Sequence, residues 1–214
     1  MQKLLFSLIL ISFSNISFSQ LQKRKVFFPV GSFQKENAVI NGLSVGLWTE
    51  DRPPRNTISN GIRLEVPGYG FAAPMIGSSP ISENDSAFKA RMNDTLSEKI
   101  NGINISATGT FCDCTVSGIT IGSLGQILRK VNGFSCSTFI NAAQEMNGIQ
   151  ASIFNNQCYI MSGIQLGMFN YNKKTRGIQI GIRNTSENTR GIQIGLLNKN
   201  ECRTLPLINW NFKK

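Results

Sequence analysis

The chain contains one phrase three times, as Gly163-Ile-Gln-Leu-Gly-Met-Phe-Asn170, Gly177-Ile-Gln-Ile-Gly-Ile-Arg-Asn184 and Gly191-Ile-Gln-Ile-Gly-Leu-Leu-Asn198. Self-similarity at a fixed period indicates one structural unit copied side by side. Upstream copies also begin with a glycine, here called the head glycine, and from the first clear copy onward these glycines are 14–16 residues apart. The earlier copies start at Gly102, Gly118, Gly133 and Gly148, and fainter ones start at Gly42 and Gly61. The repeat therefore spans most of the chain.

Each copy alternates apolar and polar residues after its head glycine. In the copy that starts at Gly177, Ile178 and Ile180 are apolar and Gln179 between them is polar. A period of two is typical of a β-strand with one buried face. We therefore predict an all-β protein whose isoleucines face inward. The recurrent glutamines then lie on the outer surface, either simply solvated or as a possible binding face formed by Gln150, Gln165, Gln179 and Gln193.

Two arrangements would let each copy bury its apolar row against a neighbour. In a β-solenoid of 14–16-residue repeats, equivalent residues stack in parallel, and an amide ladder is expected from Asn155, Asn170, Asn184 and Asn198. In an antiparallel meander or an outer-membrane β-barrel, consecutive copies are joined by hairpins. The nearly constant length of the linkers favours the solenoid. Against it, the segment 185–190 offers little apolar material for the second strand that a coil needs.

The domain organisation follows from the segments outside the repeat. Residues 1–19 combine Lys3, an apolar run and small residues at Ser17 and Ser19, which predicts a cleavable signal peptide. Residues 20–214 are then a single β-repeat domain, interrupted by an insertion at about 66–100. Within it, residues 86–100 show helical periodicity and predict one short helix. This insertion is either a recognition loop or a cover for one side of the sheet.

The composition excludes several classes of chemistry. The chain has no histidine, which rules out His-based acid/base catalysis and His-containing metal sites. Cys112 and Cys114 are too close in sequence for the usual zinc spacing. The close carboxylate pairs, Glu50–Asp51 and Glu83 with Asp85, are interpreted as solvated loop residues. We therefore predict a protein that is not an enzyme, with no catalytic residue, no metal site and no cofactor.

Charge and cysteine content limit the partners. The chain has 22 Lys and Arg against 12 Asp and Glu, but these cations occur singly and without interleaved aromatic residues, so no nucleic-acid partner is predicted. An exported chain can form disulfides, yet an odd number of cysteines leaves one thiol over. The sequence leaves the pairing open among Cys112, Cys114, Cys136, Cys158 and Cys202.

The phrase Gly191-Ile-Gln-Ile-Gly-Leu-Leu-Asn198 and the ending Leu205-Pro-Leu-Ile-Asn-Trp210 resemble a bacterial surface-repeat family, first named from leptospiral proteins and common in exported proteins of Bacteroidota. The resemblance implies an exported, envelope-associated protein and supplies no catalytic residue. We expect a non-enzymatic structural or binding scaffold in the periplasm, outer membrane or cell surface, with an integral outer-membrane β-barrel as the alternative. Its partner is unknown and could be an envelope polymer or protein, with peripheral or integral outer-membrane association.

Overall fold

A computed structural model describes residues 24–48 and 53–212 of the 214-residue chain. The predicted signal peptide and the pair Glu50–Asp51 lie outside the described residues. The insertion contains a 3-10 helix, Tyr69–Met75, and helix α1, Asp85–Asn93. The strands are β1 (Lys25–Phe27), β2 (Val30–Ser32), β3 (Ala38–Gly46), β4 (Thr57–Glu65), β5 (Glu98–Ser106), β6 (Phe111–Gly122), β7 (Gly125–Ser137), β8 (Ile140–Ser152), β9 (Asn155–Leu166), β10 (Phe169–Ile180), β11 (Arg183–Lys199) and β12 (Thr204–Asn211).

Consecutive repeats stack in parallel and in register. From β3 to β11 each strand pairs with the next, and each head glycine lies beside the head glycine of its neighbour. Ile178 pairs with Ile192, as the solenoid prediction requires. Among the described strands, antiparallel pairing occurs only between β11 and β12. The chain is therefore a β-solenoid, and the alternative of an antiparallel meander or barrel is wrong.

The head glycines bend each strand so that it forms two sides of the coil. Gly177 has φ of +138°, a backbone conformation that side chains other than glycine rarely adopt. A Cβ atom at this position would lie 2.0 Å from the carbonyl oxygen of Gly163 in the neighbouring turn. Glycine is thus required both by φ and by the close approach of the backbones. We call the residues before each head glycine the first side, and the three residues after it the second side.

The interior of the coil is apolar in its central turns and polar in its last two turns. Its apolar core comes mainly from the first side of the central turns: Ile100, Cys112, Cys114, Val116, Leu128, Val131, Ala143, Met146, Cys158 and Met161. In the last two turns, Thr175 and Thr189 take the place of Met161, and both threonines are buried. The interior there is filled by hydrogen-bonded polar side chains, which explains how the polar segment 185–190 still forms a side of the coil.

The orientation predicted for the repeat phrase is wrong. Ile180 and its equivalent in the next repeat, Ile194, expose 41% and 40% of their surface, while Gln179, directly before Ile180, is fully buried at 0%. The second side is only three residues long, and its middle residue is the one that faces the interior. The alternation correctly predicts a strand, but its polar residues face the interior and its apolar residues face outward.

The insertion covers the outer surface of the first side in the central part of the coil. Phe88 of α1 stacks on Tyr159 with ring centroids 4.4 Å apart, and Ala73 of the 3-10 helix packs against Ile140 and Ala142. Gln144 accepts a hydrogen bond from the backbone N–H of Ser82 at 3.0 Å. The structure thus favours a cover over a recognition loop. The predicted helix is present but ends at Asn93, because Glu98 already begins β5.

Candidate functional site

The second side leaves a long apolar surface uncovered, which we call the apolar face. It consists of two columns of side chains that run along the coil axis. The first column holds the residue directly after each head glycine: Leu43, Ile62, Ile103, Ile119, Phe134, Ile149, Ile164, Ile178 and Ile192. The second column holds the residue two positions further on: Val45, Leu64, Ile105, Ile121, Cys136, Ala151, Leu166, Ile180 and Ile194.

The terminal strand β12 extends both columns, and β2 extends the first column only, since Ser32 lies beside Val45. β2 places Val30 beside Leu43 at the N-terminal end. At the C-terminal end, the antiparallel strand β12 places Trp210 beside Ile192 and Ile208 beside Ile194. Trp210 and Ile208 are about half exposed, at 48% and 50%. Eleven strands, β2 to β12, therefore contribute to one continuous apolar face, and its central strand is β7.

The corner that follows the second side is apolar as well. Phe139 and Phe154 stack there in parallel, with ring centroids 5.2 Å apart. Further exposed apolar side chains at this corner are Ile153, Phe169, Ile182, Leu196 and Leu197. Large exposed apolar patches usually mark an interaction surface, and the largest patch on a typical monomer is about 300–600 Å². This surface is the strongest candidate for a functional site.

Charge is distributed unequally around the apolar face. Neither column contains a charged residue over its described length. The residues directly before the head glycines form the rim, which is built mainly of Asn and Ser and becomes basic at Arg176 and Arg190. The acidic residues Asp113, Glu145 and Glu187 instead lie on the first side. A partner that approaches the apolar face thus meets no acidic side chain in its two columns.

The four glutamines predicted as a binding face lie inside the coil. Gln150, Gln165, Gln179 and Gln193 are all buried at 0% exposure. Their amides form a ladder in which each Nε2 donates to the Oε1 of the preceding turn, at 2.8, 2.9 and 2.8 Å. Gln165 also exchanges hydrogen bonds of 3.0 Å with Asn172 across the interior. The prediction of an exposed glutamine surface is wrong, because these side chains hold successive turns together.

A second amide ladder follows the corner after the second side. Asn156, Asn170, Asn184 and Asn198 are joined by Nδ2–H···Oδ1 bonds of 2.9, 2.8 and 2.7 Å. The expected asparagine ladder is therefore confirmed, except that its first member is Asn156 and not Asn155. All four side chains are buried. Two parallel amide ladders are expected to stiffen the coil directly beneath the apolar face.

A buried ionic cluster occupies the interior of the N-terminal turns. Glu98 is fully buried and accepts hydrogen bonds from Arg55 and Arg63 at 3.2 Å and from Ser59 at 2.7 Å. Burial alone would lower the pKa of Arg63, but Glu98 and Glu65 raise it above its ordinary value. The guanidinium of Arg63 also lies 3.7 Å from the ring centroid of Phe33. These groups neutralise one another inside the fold, and we interpret the cluster as structural.

Asp85, which forms a close carboxylate pair with Glu83 in the sequence, anchors helix α1 to the coil. Asp85 accepts hydrogen bonds from Tyr159 and Lys174, both at 2.5 Å. The bond from Lys174 lowers the pKa of Asp85, and the bond from Tyr159 adds to the effect. Burial and the contact with Asp85 raise the pKa of Tyr159 to about 12. Asp85 therefore acts as an anchor of the insertion, and Glu83 is exposed nearby.

The cysteines divide into interior and surface positions. Cys112, Cys114 and Cys158 are buried, and burial raises the pKa of Cys158 above its ordinary range. Cys136 is a partly exposed free thiol in the second column of the apolar face, and Cys202 is an exposed free thiol near the C terminus. Within residues 24–48 and 53–212, no group of three or more potential metal-ligating side chains occurs.

The sequence pattern does not predict the apolar face, because an alternating strand is usually apolar on its buried side. The sequence did contain a signal for the opposite orientation. In the last copies, the polar residues Asn184, Ser186 and Thr189 recur at interior positions together with the glutamines, which is the composition of hydrogen-bonded ladders.

The helices of the described residues are too short or too polar to span a membrane. Comparisons of the chain with protein-family models, curated proteins and solved structures found no match.

Proposed function

We propose that the protein is a non-enzymatic, exported scaffold of the bacterial cell envelope that works by association through its apolar face. The observation that carries this proposal is the continuity of the face, which extends from β2 to β12 without a charged residue in its two columns. At the 4.7–4.9 Å spacing of neighbouring strands, eleven strands extend over about 48 Å. A surface of this size and composition favours a binding role.

The scaffold role is supported by the construction of the coil beneath this surface. The glutamine and asparagine ladders connect each turn to the next at fixed intervals, as between Gln165 and Gln179. In the central part of the coil, the outer surface of the first side is already covered by the insertion, where Phe88 packs on Tyr159. The second side thus presents a regular surface on a rigid support, as expected for a protein that organises others.

The exported location is proposed from the sequence. Residues 1–19 have the charge, apolar core and small residues of a cleavable signal peptide. The resemblance of the repeat phrase to leptospiral-type surface repeats supports the same compartment. Within the envelope, the regular apolar face is consistent with peripheral association. Because its two columns are apolar and uncharged, the partner should present an apolar surface as well.

Cell fractionation tests this proposal directly. The full chain is expressed in a Gram-negative host. Its location is measured by cell fractionation, and its N-terminal residue is identified by mass spectrometry. We expect a mature chain that begins at Gln20, is found in the envelope fraction and is released by salt or urea. A chain that retains Met1 and is found in the cytosol would contradict the proposal, and a chain released only by detergent would contradict peripheral association.

A further inference from the structure

We propose that the apolar face is covered by a second copy of this chain, packed face to face in a two-fold symmetric dimer whose coil axes are antiparallel. This inference rests on the proposed function, since it identifies the partner of the surface through which the scaffold associates. It also accounts for the apolar side chains that the second side leaves exposed.

The size of the apolar face matches what a stable dimer needs. The face is about 48 Å long at the spacing of parallel strands, and about 15 Å wide from the head glycine to the corner at 3.3 Å per residue. Each copy would thus cover about 700 Å², close to the roughly 800 Å² per partner of standard interfaces. Two copies together bury enough surface for a specific complex.

The shape of the face suits a second copy. Stacked sheets pack about 10 Å apart when their apolar side chains meet across the interface. The two columns consist of Ile, Leu and Val along most of their length, and the larger Phe134 is accompanied by the smaller Cys136 and Ala151. The same patch on both partners is what an isologous two-fold interface requires.

The charges on the rim favour antiparallel coil axes. Arg176 and Arg190 are exposed on the rim of the last two repeats. In a parallel dimer the basic C-terminal ends of both copies would lie side by side, and Arg176 would face Arg183 across the interface. In the antiparallel dimer the rim of each copy faces the same rim of its partner in reverse order. Arg176 and Arg190 then lie against the neutral amides of Asn60 and Asn41.

This arrangement places β7 on the two-fold axis. Five contributing strands lie on each side of β7, from β2 to β6 and from β8 to β12. Cys136 of one copy therefore faces Cys136 of the other. With sheets about 10 Å apart, the two Cα atoms are too distant for a disulfide, which needs about 4.4–6.8 Å. A short bismaleimide can bridge the two thiols.

The oligomeric state is tested on the purified full chain from whichever cell fraction holds it, by light scattering after size exclusion and by sedimentation. We expect twice the monomer mass at micromolar concentrations. Ile149→Lys, close to the centre of the face, should halve this mass while the circular dichroism spectrum is retained. The matched control is Met75→Lys, which introduces the same charge at an exposed apolar residue of the insertion and should leave the mass unchanged.

Cross-linking keeps the proposal testable even if Ile149→Lys fails to fold. A Cys202→Ser variant retains Cys136 as the partly exposed thiol among the described cysteines. We expect a short bismaleimide to convert this variant to a covalent dimer, and a further Cys136→Ser substitution to abolish the product. Failure to cross-link in a dimeric sample would overturn the antiparallel arrangement.

The remaining outcomes would contradict the dimer, and they can be told apart from a failure of the proposed function. A monomer at tens of micromolar, or an open-ended larger assembly, would overturn the closed two-fold complex. A monomer that binds anionic lipid vesicles, and loses this binding in Ile149→Lys, would assign the face to lipid instead. Export and envelope location are measured separately, so a cytosolic dimer would contradict the proposed function alone.

Discussion

Gln179 donates from its Nε2 to the Oε1 of Gln165 across 2.9 Å, and both side chains are completely buried. The same relationship joins Gln193 to Gln179 at 2.8 Å. Among the described residues, the Oε1 of Gln193 has no hydrogen-bond partner, so the ladder ends there. The glutamines of the repeat phrase therefore join successive turns inside the coil by hydrogen bonds. The apolar residues beside them form the outer surface.

Removal of one member of this ladder should be costly. In Gln179→Ala the Oε1 of Gln165 and the Nε2 of Gln193 each lose one of two hydrogen bonds inside the coil, since the bonds to Asn172 and to the Lys199 carbonyl remain. Because a hydrogen bond contributes about 0.5–1.5 kcal/mol and the shortened side chain also leaves a cavity, we expect the free energy of unfolding to fall by about 2–4 kcal/mol in urea denaturation. The control is Gln34→Ala, the same change at an exposed residue, for which we expect less than about 0.5 kcal/mol. Equal effects of the two changes would contradict the buried ladder.

The head glycines should not tolerate a side chain. In Gly177→Ala the new Cβ would meet the carbonyl oxygen of Gly163 at 2.0 Å, at a residue whose φ is +138°. Strain at such a φ alone costs about 1–3 kcal/mol, and the backbone clash adds to it. We expect a loss of at least about 3 kcal/mol or failure to fold, measured by thermal and urea unfolding.

Gly77→Ala is the matched control for this prediction. Gly77 lies in the insertion, has no positive φ and would place its Cβ in open space, with nothing within 4 Å. We expect a change within about 0.5 kcal/mol of the parent chain. If both alanine variants were equally stable, the bend at the head glycine would not have the geometry described here.

Period and spacing were enough to predict the β-solenoid, the parallel pairing of Ile178 with Ile192 and the asparagine ladder. They did not determine which face of the strand is buried. In a straight strand the apolar row is normally inside, but two sharp bends leave only three residues on the second side, and Gln179 is the one that points inward. The packing of the insertion over the first side depends on long-range contacts such as that of Phe88 with Tyr159. Local periodicity does not reveal such contacts.

The buried ionic cluster should be far more sensitive than a surface ion pair. Glu98→Gln keeps the size of the side chain and removes the carboxylate that Arg55 and Arg63 share. Because removal of one partner of a buried ion pair costs about 3–5 kcal/mol, we expect a loss of about 3 kcal/mol in urea denaturation. Glu145→Gln is the control, since its pair with Lys130 is partly exposed and should contribute less than about 1 kcal/mol. A smaller loss for Glu98→Gln than for Glu145→Gln would contradict this interpretation.

The attachment of α1 should be lost in acid. The groups that face Asp85 are Lys174 and Tyr159, and Lys89 on the helix itself adds a favourable charge. They lower the pKa of Asp85 in the folded chain, so its contribution to docking is present above the ordinary carboxyl pKa of about 4 and is lost as the pH falls through the lowered value. The stacked rings of Phe88 and Tyr159 report this docking through their NMR shifts. In the parent chain we expect these NMR shifts to change below about pH 4. In Asp85→Asn they should already be altered at pH 7. In Glu83→Gln they should follow the same pH dependence as in the parent chain. An unchanged titration in Asp85→Asn would show that another group holds the helix.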